Sequence, residues 1–520
     1  MGKRFDRRSH RAVLLAGALA VSGCTLLGPD YRQPDVTWLD EWQPSLYGLR
    51  EEKTETDLRF WWHLFNDPVL NDLIEQARKE NLSLQIAGLR ILESRALLGI
   101  AGSGLYPQLQ QASGAINYVN TRRRGGALGN DDDSKATYQA GFNLAWELDF
   151  WGRFRRAIES ADAGFFASIA NQQAIQVLLS AQVADLYFAY RTTELRIAIA
   201  RENAAIQKRS YEITERIYQS GQDSELDLQQ AKTQYLATLA TIPDLEITRT
   251  TIRNALCAVL GRPPEDLPEL AHPLARLPAI KSAGIREIPA RLLLRRPDIR
   301  ASASLVAAQS AQIGIAEAEF YPAISLLGSI GWSGATSSST SDITTLAAGP
   351  AFRWNIFDYG RIANNVRLQD ARLQQLIENY QNTVLLAARE IDDAAIGVVK
   401  TREQQVILDA SVQAAKRSLE LANSRYREGY ADFQRVLDAQ RAMFAQEERQ
   451  LINEGNHVSA VVALYKALGG GWLDTPVQDL IPENVRNTMQ RRTDWGNLLT
   501  APLPESPANP SSASGGIRNE

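Results

Sequence analysis

One sulfur in this chain stands where covalent chemistry is expected. Cys24 closes the run Val21-Ser22-Gly23-Cys24, and ahead of it Lys3, Arg4, Arg7, Arg8 and Arg11 precede the apolar core AVLLAGALAV. A cationic start, an apolar stretch too short to span a membrane and small residues before a cysteine match the bacterial lipobox. Cleavage there leaves Cys24 as the amino terminus, its thiol open to a thioether with diacylglycerol and its amine to N-acylation. Several acyl chains on one residue anchor stably, at about 0.8 kcal/mol per buried methylene. A signal peptide ahead of a chance cysteine is the plainer alternative. Other reactive constellations are missing from the sequence. His10, His63, His272 and His457 are too scattered for a zinc cluster. Cys257, between Leu256 and Ala258, reads as a buried apolar thiol. There is no Walker P-loop, HExxH or GxSxG, since Gly331-Trp332-Ser333-Gly334 lacks the spacing. No catalysis, metal or cofactor is expected, the covalent lipid on Cys24 apart.

The elements that would position such an anchor must come from a foldable body. Of 520 residues, 44% are hydrophobic and 22% charged, which excludes a disordered polymer. A net charge of −4 offers no basic field for nucleic acid, and removing five cationic residues and Asp6 with the signal leaves about −8. Past residue 25 no apolar run approaches the roughly 20 residues of a spanning helix, so any membrane crossing must use strands. Thr25 follows the cysteine in place of the Asp that retains lipoproteins in the inner membrane, which favours outer-membrane sorting.

The body is duplicated. Gly99-Ile100-Ala101 ahead of Leu105-Tyr106-Pro107 recurs 215 residues on, as Gly314-Ile315-Ala316 ahead of Phe320-Tyr321-Pro322. Trp146 with Gly152-Arg153 recurs 208 residues on, as Trp354 with Gly360-Arg361, and the same offset links Tyr218 to Tyr426 and Gly221 to Gly429. The first copy has seven more residues between its Pro and its Trp. Proline is absent from 108–242 and 351–475. Within these stretches 153–220 and 361–428, rich in Ala, Leu, Gln, Glu and Arg, each predict one helix of about 100 Å, with Gly164 and Gly397 as weak points. Turns at 219–221 and 427–429 then send shorter helices back over 225–260 and 433–468, giving two antiparallel hairpins.

Between each Tyr-Pro and its Trp the period changes from 3.6 to 2. Along 138–150, Tyr138, Ala140, Phe142, Leu144, Trp146, Leu148 and Phe150 alternate with small or polar residues. Leu346, Ala348, Pro350, Phe352, Trp354 and Ile356 repeat the pattern, and Ile324, Leu326, Ile330 and Trp332 share a face of the preceding strand. A half-buried soluble sheet gives the same alternation, but these strands reach the 9 to 11 residues of a tilted membrane crossing and carry aromatics toward their ends. The polar segments 121–135 and 333–342 are expected to be surface loops. Four strands cannot close a barrel, because the smallest outer-membrane barrels have eight and an open edge in lipid leaves backbone groups unpaired. Two copies would make a barrel filled by its own side chains, whereas three give twelve strands and a conduit.

These features together resemble the TolC-type outer-membrane efflux family, in its NodT/OprM-like lipoprotein branch. The likeness rests on Gly28-Pro29-Asp30-Tyr31, Trp61-Trp62, Phe65-Asn66-Asp67-Pro68, Arg295-Arg296-Pro297-Asp298-Ile299-Arg300 and the two Gly-Arg helix starts. It implies an α+β membrane protein: a TolC-like homotrimer with four β-strands per chain completing a 12-stranded outer-membrane barrel in outer-membrane lipid, and long antiparallel helices forming a periplasmic α-barrel. It further implies a periplasmic adaptor and an inner-membrane pump as partners. The expected organisation is a signal at 1–23, an N-terminal and equatorial segment at 24–80, a first repeat at 81–261, a linker at 262–296, a second repeat at 297–469, a C-terminal equatorial segment at 470–501 and a disordered tail at 502–520.

The resemblance also implies that the hairpin turns close the periplasmic end. Tyr426, Gly429, Val436, Leu437 and Asp438 match the family's turn motif, and Asp438 falls where the family has a constriction aspartate. Three copies of it would form an anionic ring. Arg435 stands where some relatives are acidic and Ala431 where one has a gate arginine. The first-copy counterpart of Arg435 is Asp227, a candidate partner between adjacent hairpins, and Gly221 and Gly429 mark the turns that would meet an adaptor. The function expected is export of drugs or other small toxic compounds. A protein-secretion channel and a lipid-anchored structural coiled coil are the alternatives.

Overall fold

The computed structural model describes residues 25–39, 47, 49, 57–126, 129–221, 224–278, 280, 293–336 and 342–504, with backbone alone for those within 121–133. The signal segment, Cys24 and most of the 502–520 tail lie outside the described residues. Two compact units form, each from three stretches of chain. The first is Met1–Asp35, Ile91–Ser168 and Ala301–Tyr380; the second is Val36–Arg90, Ile169–Arg300 and Gln381–Glu520.

The first unit carries an antiparallel sheet in sequence order: β1 (Leu109–Gly126), β2 (Gly129–Leu148), β3 (Ala323–Ala335) and β4 (Ile343–Arg353). Its register sets even-numbered residues beside even-numbered ones: Ala112 with Phe142, Phe142 with Ile330, Ile330 with Leu346. One face therefore carries Ile116, Tyr118, Phe142, Leu144, Trp146, Ile324, Leu326, Ile330, Trp332, Leu346 and Phe352 across all four strands, with Gln110 and Thr344 among them. The opposite face is richer in polar residues, Gln111, Ser113, Asn117, Gln139, Asn143, Ser325, Ser329 and Ser333, with Leu109, Val119, Leu327 and Ile343 as apolar exceptions. Because side chains alternate with a period of two, this register alone sorts lipid-compatible from water-compatible residues.

The strand boundaries differ from expectation in three places. The segment 121–135 is largely strand, paired out to Arg123 opposite Asp131. A ladder is made by backbone N–H and C=O groups, which charged residues carry as well as apolar ones do. Polarity marks the medium here, not the absence of a strand. Likewise Ser333–Ala335 belongs to β3, and β4 ends at Arg353, leaving Trp354 and Ile356 beyond the sheet.

Of the helices before the sheet, α1 (Pro68–Glu80) belongs to the second unit, whereas α2 (Leu82–Ser103) ends in the first, where α3 (Arg153–Gln219) also starts. The segment after Cys24 is stitched down in this first unit. Arg156 is 1% exposed and donates to the Leu27 and Gly28 carbonyls at 2.8 and 3.0 Å, while pairing with Asp30 and Glu159. Gly28, at φ +83°, lies so close to a second glycine that an added Cβ would fall 2.4 Å from the Gly314 Cα. Only this glycine pair permits the approach.

The second unit is helical. After α3 come α4 (Glu225–Val259), α5 (Pro297–Ala318), α6 (Arg361–Arg427), α7 (Phe433–Ala467) and α8 (Glu483–Arg492), of which most of α5 and the start of α6 belong to the first unit. Both α3 and α6 have 67 residues, and both α4 and α7 have 35, so the duplication preserves element lengths to the residue. Pro243 sits inside α4. Trp61 stacks on Tyr465 with centroids 5.7 Å apart, and Asp67 caps α1 while accepting from the Tyr187 hydroxyl at 2.6 Å. Cys257 is buried, its thiol 3.5 Å from the Glu265 carbonyl. Among the described residues no helix is long and apolar enough to cross a membrane.

Candidate functional site at the helical turns

Each hairpin turn is built on one glycine. Gly221 and Gly429 have φ of +76° and +77°, and their N–H groups donate to the Tyr218 and Tyr426 carbonyls at 2.9 and 3.0 Å. A left-handed residue after the last helical turn satisfies carbonyls that the helix leaves open, and glycine adopts it without a Cβ clash. The return helices begin on side-chain caps: Ser224 accepts from the Asp227 N–H at 3.2 Å, and Asp432 from the Arg435 N–H at 3.3 Å.

Just behind the turns Phe433, Val436, Leu437 and Met443 of α7 pack with Leu419 and the half-buried Tyr426 of α6, with Ala231 of α4 and with Ile206 and Tyr211 of α3. The Tyr426 ring leans on Phe433 at 5.3 Å. Polar contacts hold the two hairpins in register: Gln440, 2% exposed, donates to the Ser210 hydroxyl at 2.8 Å, and Arg441 donates to Gln234 at 2.5 Å. These tie α7 of the second copy to α3 and α4 of the first.

On this framework the charged residues stay in water. Asp438 accepts from Gln434 at 3.0 Å and lies 3.6 Å from Arg441, with more than half of its side chain exposed. Arg435 turns back on Asp432 at 3.8 Å, and Asp227 shares a hydrogen bond of 3.0 Å with the Ser224 hydroxyl. The single chain thus gathers Asp438, Arg435 and Tyr426 on one turn, and Asp227 and Gly221 on the other. Exposed pairs at helical spacing are individually weak, so these groups are available to re-pair in an assembly. What the turns offer is a set of exchangeable charges on a rigid apolar base. Sequence reasoning misses Gln434, Arg441 and the Asp432 cap, although the first two stand at i−4 and i+3 from Asp438 and the third precedes its helix. Gln440 carries no sequence signal, because its burial depends on the helix across from it.

The family profile described as outer membrane efflux protein matches residues 73–262 and 288–470. The chain is 29% identical over 462 residues to the probable outer membrane lipoprotein SilC of Salmonella typhimurium, covering 87% of this chain and 97% of that one. It is 32% identical over 472 residues to the solvent efflux pump outer membrane protein SrpC of Pseudomonas putida, covering 87% and 97%. Among solved structures the outer-membrane channel OprN superposes with a TM-score of 0.75 at 33% identity, covering 86% of this chain and 99% of that one.

Proposed function

Because the chain belongs to the outer membrane efflux protein family, we propose that it serves as the outer-membrane conduit of a tripartite efflux system and exports small toxic compounds. In this reading three copies close one barrel, Cys24 carries the lipid, a periplasmic adaptor meets the turns at Gly221 and Gly429, and an inner-membrane pump supplies the cargo. The observation that carries it is the sheet: a largely apolar, aromatic-rich face, a more polar reverse face and, among the described residues, two unpaired edges on four strands. Such a sheet satisfies its backbone in lipid only by closing with further copies. The lipobox and the SilC likeness support the anchor, and the solvent pump SrpC supports a small-molecule cargo.

At the periplasmic end Asp438 forms the anionic ring, Tyr426 and its apolar neighbours hold the turn, and Arg435 re-pairs with Asp227 of an adjacent hairpin. Deleting the gene is expected to raise susceptibility to organic solvents and dyes, and the purified protein to migrate as a heat-modifiable trimer and conduct in planar bilayers. A non-conducting monomer released by removing the lipid would overturn the reading. Asp438→Ala should change conductance and lower cation preference; if both stay unchanged, Asp438 is no part of the aperture.

A further inference from the structure

The sheet ends at two edges that no strand among the described residues of the same chain covers. Ile116 and Tyr118 on β1 are 82% and 73% exposed, and Leu346 and Phe352 on β4 are 78% and 77% exposed. The internal duplication says what they should meet. Trp146 donates its indole N–H to the Leu105 carbonyl at 3.1 Å, and its counterpart Trp354 donates to the Phe320 carbonyl at 2.9 Å, so the strand β2 maps onto β4 with an offset of 208. The ladders supply the other offset. β1 pairs Gln110 with Leu144, and β3 pairs Ile324 with Phe352; β1 therefore maps onto β3 with an offset of 214, one less than separates Tyr106 from Tyr321. Copy one has taken up one extra residue after its Pro107.

The β2–β3 ladder is then the junction between copy one and copy two, already formed inside the chain. Carrying it forward by the same offsets gives a definite register for β4 against β1 of another subunit. Ala145 opposite Leu327 becomes Arg353 opposite Ser113; Asn143 opposite Ser329 becomes Ala351 opposite Ala115; Phe142 opposite Ile330 becomes Pro350 opposite Ile116. Even residues again meet even residues, so the apolar face continues across the seam, whereas a slip of one residue would turn β1 inside out.

A second feature repeats the junction outside the sheet. Trp151 stacks on Tyr321 at 4.6 Å and donates to the Pro322 carbonyl at 2.9 Å. The copies of these residues are Tyr359 and Tyr106-Pro107. Tyr359 is fully exposed and holds φ +53°, a conformation bulky residues rarely adopt, and Tyr106 is 70% exposed. We infer that a second copy of this chain closes each edge in the β2–β3 register, with Tyr359 of one subunit stacked on Tyr106 of the next. This rests on the closed oligomer proposed above and specifies its seam.

The test uses the full chain in outer membranes with Cys257→Ala as background. Residues directly opposite in an antiparallel pair have Cβ atoms about 4.5–5.5 Å apart, within reach of a disulfide, while partners two residues off lie about 7–8 Å away. Mild oxidation of Ala115→Cys with Ala351→Cys should link most of the protein into intersubunit ladders on non-reducing gels, at least about fivefold more than Ala115→Cys with Gly349→Cys. If the shifted pair links better, this register is wrong while the oligomer stands; if no pair links and the protein sediments as a monomer, the oligomer itself falls. For the rings, Tyr359→Ala and Tyr106→Ala should each speed dissociation of the heated oligomer severalfold, and the double variant no more than either. Multiplying effects would overturn the stacking.

Discussion

The two copies share a backbone and differ in their charges. Helix lengths and turn glycines coincide at an offset of 208 and the Trp-to-carbonyl bonds recur, yet few charged contacts survive the mapping. Arg156, buried and clamping the amino-terminal arm, becomes the exposed Asn364. Asp185, whose carboxyl burial lifts to about 6 against the pull of Ser459 and Lys466, becomes Asp393, exposed beside Arg389 at 3.7 Å. The ion pair of Arg201 with Glu246 at 2.7 Å becomes two carboxylates, Asp409 and Glu454, bridged by the Gln405 amide at 2.9 and 3.1 Å. Duplication conserves what backbone hydrogen bonding and glycine dictate. Side-chain electrostatics was free to diverge, and each divergence is a place to probe the two halves against each other.

The largest contrast should come at the clamp. Arg156→Ala leaves two arm carbonyls and two carboxylates without their common donor. Asp30 and Glu159 reach solvent, so the loss is that of the two carbonyl hydrogen bonds from a buried charged donor, about 1.5–3 kcal/mol each. Asn364→Ala, at the matching helix position, loses one hydrogen bond from Arg367 and should stay within about 0.5 kcal/mol. Denaturant melts in detergent measure both, and equal losses would show that the arm contributes nothing to the asymmetry.

Asp185 provides a contrast in pH. Its folded carboxyl keeps a proton up to about pH 6, against 3.8 ordinarily, so the native state binds more protons in that interval. Stability therefore falls as pH rises from about 4 to 6 and stays reduced above. Asp185→Asn should flatten the slope and gain at most about 3 kcal/mol at pH 7, with little difference at pH 4. Asp393→Asn should leave the slope unchanged; the same melts repeated across pH decide it.

The turns test sameness instead of difference. Both glycines are left-handed with open space around the missing Cβ, so Gly221→Ala and Gly429→Ala should each cost about 1–2 kcal/mol from backbone strain alone. A large disparity would mean that the turns are not equivalent.

Much of this comparison is visible before any coordinates. The paired 67-residue helices follow from proline-free, alanine-rich stretches, the turns from Gly221 and Gly429, and the strands from aromatics at a period of two. The extension of β1 and β2 through 121–135 is not, because a ladder is made by backbone groups and composition marks only the medium around it. Nor is the 214 offset, which only the register of two ladders reveals, or the burial of Gln440 and Asp185, which depends on how neighbouring helices are rotated. At the turn, Asp438 is legible through likeness, while its contacts with Gln434 and Arg441 follow from helical spacing and can be written down from the residues.

The smallest effect is the most direct test of divergence. In the second copy Glu454 is held above the usual carboxylate range by burial and then by Asp409, and the Gln405 amide offsets only part of this. His457, nearby on the same helix, is held below its ordinary range by burial and by Arg402, so it adds no compensating charge near neutral pH. Asp409→Arg writes the first copy's ion pair into the second. It should bring the Glu454 carboxyl back toward its ordinary value and stabilise the hairpin by about 0.2–1 kcal/mol, the range for partly exposed pairs. Glu454→Gln in the same background should cancel the gain, since the new guanidinium would then face no charge. If Asp409→Asn stabilises as much as Asp409→Arg, the two copies differ by a repulsion lost and not by an ion pair gained.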